Sequence, residues 1–414
     1  MKTLLISLVS DQTVPNVQLI NEFKGDNVDY QFITTNAMET KGCRKWIETA
    51  ANITCSGEPL HVNEYSYDDI QQKLNSFDFS VYEKVIVNIT GGTKVMTIAA
   101  HDFFKEEGAD IYYVTGIDKK YIKVFPGKKK IEYKITNSLS VEEYLVAYGF
   151  NVEKSDTPHF DAKTTENIFH MFIDKSFQDH WPTINFLRNH RKKGLKSKDM
   201  NNNVKLLLEK VGFVAQSDEA LNPEEVKFLT GEWFEQFIYN KVKQDFGLDE
   251  SKILMGVKLN KDVKDDESKI VKKMLQTDDI QLAKPDNEID VIFMFNGNIY
   301  IIECKSSIID IKEVETEKNG ELIKKQKEEN ILGETIYKSD SIKNKFGLFA
   351  KSYICTLTNF ADYVSSGSLN DINNKKRKME ELINRATLSR VSIIEGNMLS
   401  KKESLKSILL PHAN

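Results

Sequence analysis

Between Thr3 and Phe125, short apolar runs alternate with amphipathic stretches, and this alternation restricts the fold more than any other feature of the chain. The apolar runs predict strands at Thr3–Val9, Tyr30–Thr34, Lys84–Ile89, Ile111–Thr115 and Tyr121–Phe125. Amphipathic stretches such as Lys94–Phe104 predict helices between them. Strands that alternate with helices of this length form a mainly parallel sheet with helices on both faces.

The length of 414 residues exceeds one ordinary core and indicates two or three domains. We expect an α/β domain at residues 1–140 and a mostly helical connecting region at 141–225. A second α/β domain is expected at 226–414, where a helix at Thr230–Val242 leads to strands near Ile253–Leu259, Ile289–Phe295 and Ile299–Lys305. A charged stretch, Ile311–Glu329, then precedes a helix around Thr335–Lys345.

Composition excludes several classes of protein. Apolar residues make up 40% and charged residues 29%, which is typical of globular chains. The four cysteines have no CxxC spacing, so neither a zinc site nor a disulfide framework is expected. No apolar stretch is long enough to span a bilayer and the first residues lack the pattern of a signal peptide, so we expect a cytoplasmic protein without membrane contact.

The sharpest motif lies in the second α/β domain and runs from Asp290 to Lys305. Asn296-Gly297-Asn298 predicts a hairpin turn between two apolar strands. That hairpin would bring Asp290, near the start of the first strand, close to Glu303 and Lys305, near the end of the second. Glu303 and Lys305 are two positions apart and therefore share one face of their strand.

Two carboxylates and a lysine at the end of an apolar ribbon are costly unless they are paired or bind a ligand. Mg²⁺ takes one or two carboxylates together with substrate phosphate, and such a cation can activate water for attack on phosphorus. A lysine beside the cation can orient that water or stabilise the developing charge. These residues predict a metal-dependent phosphodiesterase site; the alternative is a surface ion pair at a strand end.

The predicted helix at Thr230–Val242 contributes one more acidic candidate. Trp233, Phe234 and Phe237 mark a buried stripe at helical spacing, and Glu235 lies within it. A carboxylate there either belongs to the site or lies at the margin of the stripe, and the pattern leaves both interpretations open.

Together, Glu235, Asp290 and Glu303-Cys304-Lys305 resemble the PD-(D/E)xK restriction-like nuclease superfamily. The resemblance implies a restriction-endonuclease-like fold in which Asp290 and Glu303 bind Mn²⁺ or Mg²⁺ with the Cys304 carbonyl. It implies that Glu235 assists through water, that Lys305 positions the nucleophile, and that Lys338 on the following helix is a further basic residue of the site. The usual Pro-Asp pair is absent, since Ile289 precedes Asp290.

Two loops of the first domain form the other constellation. Asn88-Ile89-Thr90-Gly91-Gly92-Thr93-Lys94 joins a strand directly to a helix, where glycines admit a ligand and the helix N-terminus offers N–H groups to an anion. If the strand order reverses between the first and third predicted strands, the loop Ser10–Asn16 borders the same crevice. N-capping is the alternative role of Ser10 and Thr13, and a plain turn that of Asn36. The candidate ligand-binding residues are Ser10, Asp11, Gln12, Thr13, Asn16, Asn36, Asn88, Thr90, Gly91, Gly92, Thr93 and Lys94.

Both loops resemble the CARF domain, a Rossmann-like sensor of cyclic oligoadenylates in type III CRISPR defence. With the C-terminal motifs, the whole chain resembles the CARF-nuclease effectors that degrade DNA or RNA once the messenger binds. The resemblance implies a homodimer with one two-fold ligand, expected to be cyclic tetra-adenylate, across two N-terminal domains. It also implies that binding rotates the subunits and arranges the nuclease sites for cleavage.

Two other functions are compatible with the sequence. The net charge of −5 confines any contact with nucleic acid to local patches. One patch, Arg188–Lys198, would let a ligand-sensing regulator bind DNA without cutting it; a second is Lys375–Lys378. Alternatively, Ser10, Thr93 or Lys94 would let the N-terminal pocket degrade the cyclic messenger itself.

Overall fold

The structure is a computed structural model that describes residues 2–116, 120–127, 131–217, 220–261, 288–318, 321–366, 368–400 and 404–410. The strands are β1 Thr3–Leu8, β2 Val28–Thr34, β3 Leu60–His61, β4 Lys84–Asn88, β5 Asp110–Thr115, β6 Lys120–Phe125, β7 Ile131–Lys134, β8 Phe150–Asp156, β9 Ile253–Lys261, β10 Glu288–Phe295, β11 Asn298–Lys305, β12 Ile309–Lys318, β13 Glu321–Asn330, β14 Lys351–Thr356 and β15 Val391–Ile394.

Helices surround these strands in both α/β domains. They are α1 Val14–Phe23, α2 Asn36–Lys41, α3 Cys43–Ala51, α4 Tyr67–Asn75, α5 Lys94–Glu106, α6 Val141–Ala147, α7 Ala162–Ile173, α8 Trp181–Arg188, α9 Asn202–Val211, α10 Pro223–Lys227, α11 Trp233–Phe246, α12 Leu332–Lys343, α13 Phe360–Val364, α14 Leu369–Leu388, α15 Gly396–Leu399 and α16 Leu405–Leu409. Short 3₁₀ turns lie at Ser176–His180, Ser197–Asp199, Glu250–Lys252 and Asn344–Phe346. Within the described ranges, no helix combines the length and the apolar character needed to cross a membrane.

The first sheet has the strand order β3-β2-β1-β4-β5-β6-β7. Its pairs from β3 to β5 are parallel, and β6 and β7 add an antiparallel edge. Helices α1 and α3 pack on one face and α4 and α5 on the other. The predicted strands and the helix at Lys94–Phe104 are confirmed to within two residues at each end. The α/β class of this domain is also confirmed.

The second sheet has the order β15-β14-β11-β10-β9-β8, and β12 and β13 form a separate two-stranded ribbon. The predicted hairpin of β10 and β11 is confirmed. Its turn residues Asn296 and Gly297 have φ of 50° and 78°, which both central positions of a type I′ turn require. The helix expected from Thr230 begins instead at Trp233, because Phe228–Glu232 is a π-helical turn with non-helical backbone at Gly231.

Residues 141–225 are mostly helical, and they also contain β8, the edge strand of the second sheet. Helices α7, α8 and α9 pack with α11 in one large apolar cluster. The connecting region is thus part of the second α/β domain's core as well as a link. The boundaries at residues 140 and 225 remain a prediction.

A second apolar cluster joins the two sheets. It contains Leu5 of β1, Leu145 of α6, Ile292 of β10 and Phe346, all nearly or fully buried. Helix α6 lies at the centre of this contact, where the Tyr144 hydroxyl donates a hydrogen bond to the Phe346 carbonyl at 2.8 Å. The two α/β units are therefore packed against each other through one core.

Replacing Phe346 with alanine tests this shared core. The ring is fully buried and packs on Phe150 at a centroid distance of 5.2 Å. Removing it should cost about 3–5 kcal/mol, since a cavity remains between the domains. Thermal and urea unfolding should show a large loss of stability, whereas Leu348→Ala, 79% exposed two residues away, should change little. Equal effects of the two substitutions would contradict the shared core.

Candidate functional site

The C-terminal end of β11 brings together the predicted Asp290, Glu303 and Lys305. The pairing of Val291 with Ile302 places Asp290 across from Glu303, one step further along the hairpin. The carboxylate of Asp290 accepts a hydrogen bond from the Cys304 backbone N–H at 2.6 Å. Asp290 is 6% exposed and Glu303 3%, so these carboxylates do not form a surface ion pair.

Two lysines neutralise Glu303 from different elements. The Lys305 ammonium lies 2.7 Å from Glu303 Oε1 and 3.8 Å from Asp290 Oδ2. Lys338 of α12 donates to the same Glu303 oxygen at 2.8 Å. The structure therefore places the sequence-predicted Lys338 within the site, despite the intervening charged ribbon.

Helices α11 and α12 approach the site from opposite faces of the second sheet. Helix α11 shares its apolar cluster with Ile302 and Cys304, whereas Ile342 of α12 packs with Ile301. The half-buried Glu235 of α11 lies close enough to interact electrostatically with Asp290. Of the two interpretations left open for Glu235, this position favours membership of the site.

Burial and mutual repulsion perturb the ionisation of these groups. Burial, and next the charge of Glu303, raises the pKa of Asp290. Burial, and next the charge of Asp290, raises the pKa of Glu235. Against the effect of burial, Asp290 and Glu303 raise the pKa of Lys305 and keep it charged at neutral pH. Opposed carboxylates of this kind are stabilised by a bound cation.

The chemistry of this donor set suits a hard divalent cation. Among the described residues, no group of three or more His, Cys, Asp or Glu side chains is arranged to hold a metal. Mg²⁺ needs no such cage, because it keeps several waters and takes one or two carboxylates plus substrate phosphates. Asp290 and Glu303 supply those two carboxylates.

The N-terminal loops meet at the edge of the first sheet. Strand β1 has β2 on one side and β4 on the other, so the strand order reverses there, as the predicted crevice requires. The loops after β1 and β4 are in contact. A Cβ at Gly91 would lie 2.1 Å from the Leu8 carbonyl oxygen and 3.2 Å from the Ser10 hydroxyl. Only glycine fits this close approach.

Three predicted ligand contacts instead hold the loops in shape, because their side chains are fully buried. Asn88 donates to Asn16 Oδ1 at 2.8 Å, and Asn16 donates to the Leu8 carbonyl at 3.0 Å. The Thr13 hydroxyl donates to the Ala147 carbonyl and makes no side-chain cap. Thr13 occupies the N-cap position of α1 but its side chain makes no capping hydrogen bond, and Ser10 lies three residues before that position, so neither side chain caps α1.

The remaining predicted residues lie in the loops after β1 and β4 or at the neighbouring helix starts. Thr90 accepts a hydrogen bond from the Val114 N–H at 2.8 Å, and Thr93 caps α5 by accepting from the Met96 N–H. Gly92 has φ of 77°, and Lys94 is exposed at the start of α5. Asp11, Asn36 and Lys94 are exposed, whereas the other residues that are not fully buried are half-buried: Ser10, Gln12, Thr90, Gly92 and Thr93.

Two loop contacts were not identified from the sequence. Lys41 forms an ion pair with Asp11, and the Tyr148 hydroxyl donates to Gln12 Oε1 at 3.2 Å. Lys41 and Tyr148 are both far from the loop in sequence, so no local sequence pattern indicates these contacts.

The raised pKa of Glu235 predicts a pH-dependent stability. The folded state holds this proton more tightly than the unfolded state, whose carboxyl pKa is near 4.5. Stability should therefore fall as pH rises above that value. In EDTA, Glu235→Gln should flatten the decline in melting temperature between about pH 5 and pH 8. The exposed Glu250→Gln should keep the wild-type slope; an unchanged slope in Glu235→Gln would refute the assignment.

Comparisons with known proteins agree with the two-part architecture. Residues 4–144 match the Card1 CARF domain, and residues 222–374 match the Card1-like endonuclease domain. No curated protein matches the chain.

Two solved structures share the fold over almost the whole chain. Can2 from Sulfobacillus thermosulfidooxidans, in complex with cyclic tetra-adenylate, is 19% identical with a TM-score of 0.62 and covers 96% of this chain and 97% of its own. Protein VC1899 from Vibrio cholerae is 15% identical with a TM-score of 0.67 and covers 99% and 97%. The chain thus contains a CARF domain of the Card1 type, followed by a Card1-like endonuclease domain.

Proposed function

We propose that this protein is a divalent-metal-dependent endonuclease that cuts DNA, RNA or both when its CARF domain binds a cyclic oligoadenylate, as part of type III CRISPR antiviral defence. One observation carries the proposal. The buried, opposed carboxylates of Asp290 and Glu303 share Lys305 at the end of β11, and Glu303 also pairs with Lys338 of α12. Such an arrangement is costly for folding alone and suits a cation with a phosphodiester.

The residues of the site have distinct roles in this proposal. Asp290 and Glu303, with the Cys304 carbonyl, hold Mn²⁺ or Mg²⁺. A bound cation of this kind polarises the phosphoryl group and favours ionisation of water. Lys305, whose ammonium lies between the two carboxylates, orients the attacking water and stabilises negative charge on the phosphoryl oxygens.

Glu235 and Lys338 support this centre from the two flanking helices. Glu235 has no hydrogen bond or ion pair to any of the described residues, so its carboxylate is available to a water beside the metal. Lys338 now neutralises Glu303 and is 34% exposed, which gives it access to a substrate phosphate. A substrate phosphate would thus take over part of the ion pairing that Lys305 and Lys338 make with Glu303.

The crevice between the β1 and β4 loops is the messenger site in this proposal. Its glycine-lined approach and the N-terminus of α5 suit a phosphate, and the related fold of Can2 was solved with cyclic tetra-adenylate. A two-fold messenger spans two such crevices in a homodimer. Binding then favours the subunit arrangement in which the nuclease sites are productive. Action in the cytoplasm remains part of the proposal.

Removing the charges at the β11 end should abolish cleavage and spare messenger binding. Glu303→Ala or Lys305→Ala should reduce cleavage of plasmid and single-stranded RNA to background, because each removes a group that touches metal or substrate. The assay uses cyclic tetra-adenylate with Mg²⁺, Mn²⁺ or EDTA. Lys105→Ala, at an exposed lysine on α5, is the charge-matched control for Lys305→Ala.

Full cleavage by either variant would disprove the site. Nucleic-acid binding without cleavage under every metal would support the regulator instead. Metal-independent loss of the cyclic messenger would support a messenger-degrading pocket, an activity that could coexist with the nuclease.

A methyl group at Gly91 should weaken messenger binding. Gly91→Ala places Cβ against the Leu8 carbonyl and forces the two loops apart, whereas Gly25→Ala meets only Val28 at 3.7 Å. Calorimetry with cyclic tetra-adenylate should show at least about a tenfold loss of affinity, or about 1.4 kcal/mol, for Gly91→Ala alone. Binding unchanged by this substitution would place the messenger elsewhere.

A further inference from the structure

A cleft opens directly beside the β11 site. Its walls come from the segments that follow β11 and β14 and from the start of α11, including Ser306, Thr358 and Gly231. Ser306 follows Lys305 in the chain, and Lys305 pairs with Thr356 of β14. The cleft is therefore adjacent to the proposed catalytic lysine. Its volume of about 200 Å³ is below the roughly 300–1,000 Å³ of whole-ligand sites, which suits part of a larger ligand.

The outer wall is an aromatic residue stacked with an arginine. Trp181, the first residue of α8, is 42% exposed, although large aromatic rings are usually covered. The Arg188 guanidinium lies 4.9 Å from the centre of its ring, and Phe177 meets it edge-on at 5.9 Å. Aromatic rings paired with arginine are surfaces on which nucleobases stack.

A second arginine adds positive charge at the same place. Arg191 lies against α11's start, with one guanidinium nitrogen 3.2 Å from the position of a Cβ on Gly231. Partial burial, and next the charge of Arg191, lowers the pKa of Arg188. Two neighbouring guanidinium groups repel each other, and a phosphate between them would relieve that repulsion.

We propose that this cleft binds one unstacked nucleotide of a single-stranded nucleic acid next to the phosphodiester that is cut. The base stacks on Trp181 and Arg188, and its phosphate is held by Arg188 and Arg191. Of the basic patch Arg188–Lys198, the two residues Arg188 and Arg191 thereby belong to the substrate-binding surface of the nuclease. This inference rests on the proposed nuclease function of the β11 site.

The shape of the cleft selects single strands. A base inside a duplex is paired and stacked, and bringing it into a pocket requires unpairing and unstacking energy. A base in a single strand is already free to rotate onto an aromatic ring. The indole is one wall of a cleft of only about 200 Å³, so it contacts a base that leaves its own strand's stack.

Fluorescence anisotropy with the full chain tests the cleft directly. The probes are labelled oligothymidylate, oligouridylate, a duplex and an abasic oligomer of equal length, all in EDTA so that binding is measured without cleavage. Trp181→Ala should weaken binding of both single-stranded probes about tenfold, and Trp181→Phe should restore most of it. The abasic oligomer should bind both variants and the wild type alike.

The arginines should show a different signature. Arg188→Ala with Arg191→Ala should weaken every single-stranded probe, abasic included, and reduce the dependence of log affinity on log salt by about 1.4. Lys196→Ala with Lys198→Ala removes equal charge from exposed positions outside the cleft and should leave the difference between normal and abasic probes unchanged.

Three outcomes would overturn the proposed role of the cleft. Trp181→Ala would leave the affinity for single strands unchanged, it would weaken binding of the abasic oligomer equally, or the wild type would bind the duplex as tightly as single strands. The proposed function fails separately. If the wild type shows the base-dependent binding but never cuts with metal and messenger, the nuclease is refuted and the cleft stands. If the wild type cuts, and Trp181→Ala binds and cuts as the wild type does, the role of the cleft is refuted and the nuclease function stands.

Discussion

The architecture depends on the apolar cluster that joins the two sheets. Residues of β1, α6, β10 and the segment after α12 are buried in it together, so neither α/β domain has a complete core of its own at this place. Burial of each large side chain contributes about 1.5–3 kcal/mol, and several are shared across the contact. The hydrogen bond from Tyr144 to the Phe346 carbonyl fixes how the elements meet. The two sites are therefore held by one packed body.

That packing connects the ligand loop to the carboxylates by direct contacts. Gln12 and Thr13 bind α6 through Tyr148 and the Ala147 carbonyl. Helix α6 in turn contacts Phe346, just beyond α12, and α12 carries Lys338 to Glu303. A ligand changes the balance between two conformations of such a protein only if it binds one of them more tightly than the other. In the proposed function, Gln12 belongs to the messenger-binding loop, and its hydrogen bond with Tyr148 is the first contact of this route.

Local pattern was enough to predict the strands, the hairpin and the meeting of Asp290 with Glu303, because alternation and an Asn-Gly turn act over neighbouring residues. It was not enough for Asn16 and Asn88. Their residue types suit a ligand, but tertiary packing buries both amides against each other. The same limit applies to Trp181, whose exposure depends on where α8 lies relative to α11. Contacts between elements distant in sequence leave no periodic signal.

The proposed function gives this acidic chain two separate electrostatic tasks. The carboxylates at the end of β11 would repel a phosphodiester, and the net charge of −5 offers no general attraction. Lys305 and Lys338 offset the carboxylates only locally, since both contact the same oxygen of Glu303. Arg188 and Arg191 supply positive charge a short distance away, beyond the cation's carboxylates. In the proposed function, the cleft therefore supplies substrate affinity and the carboxylates remain available to a divalent metal.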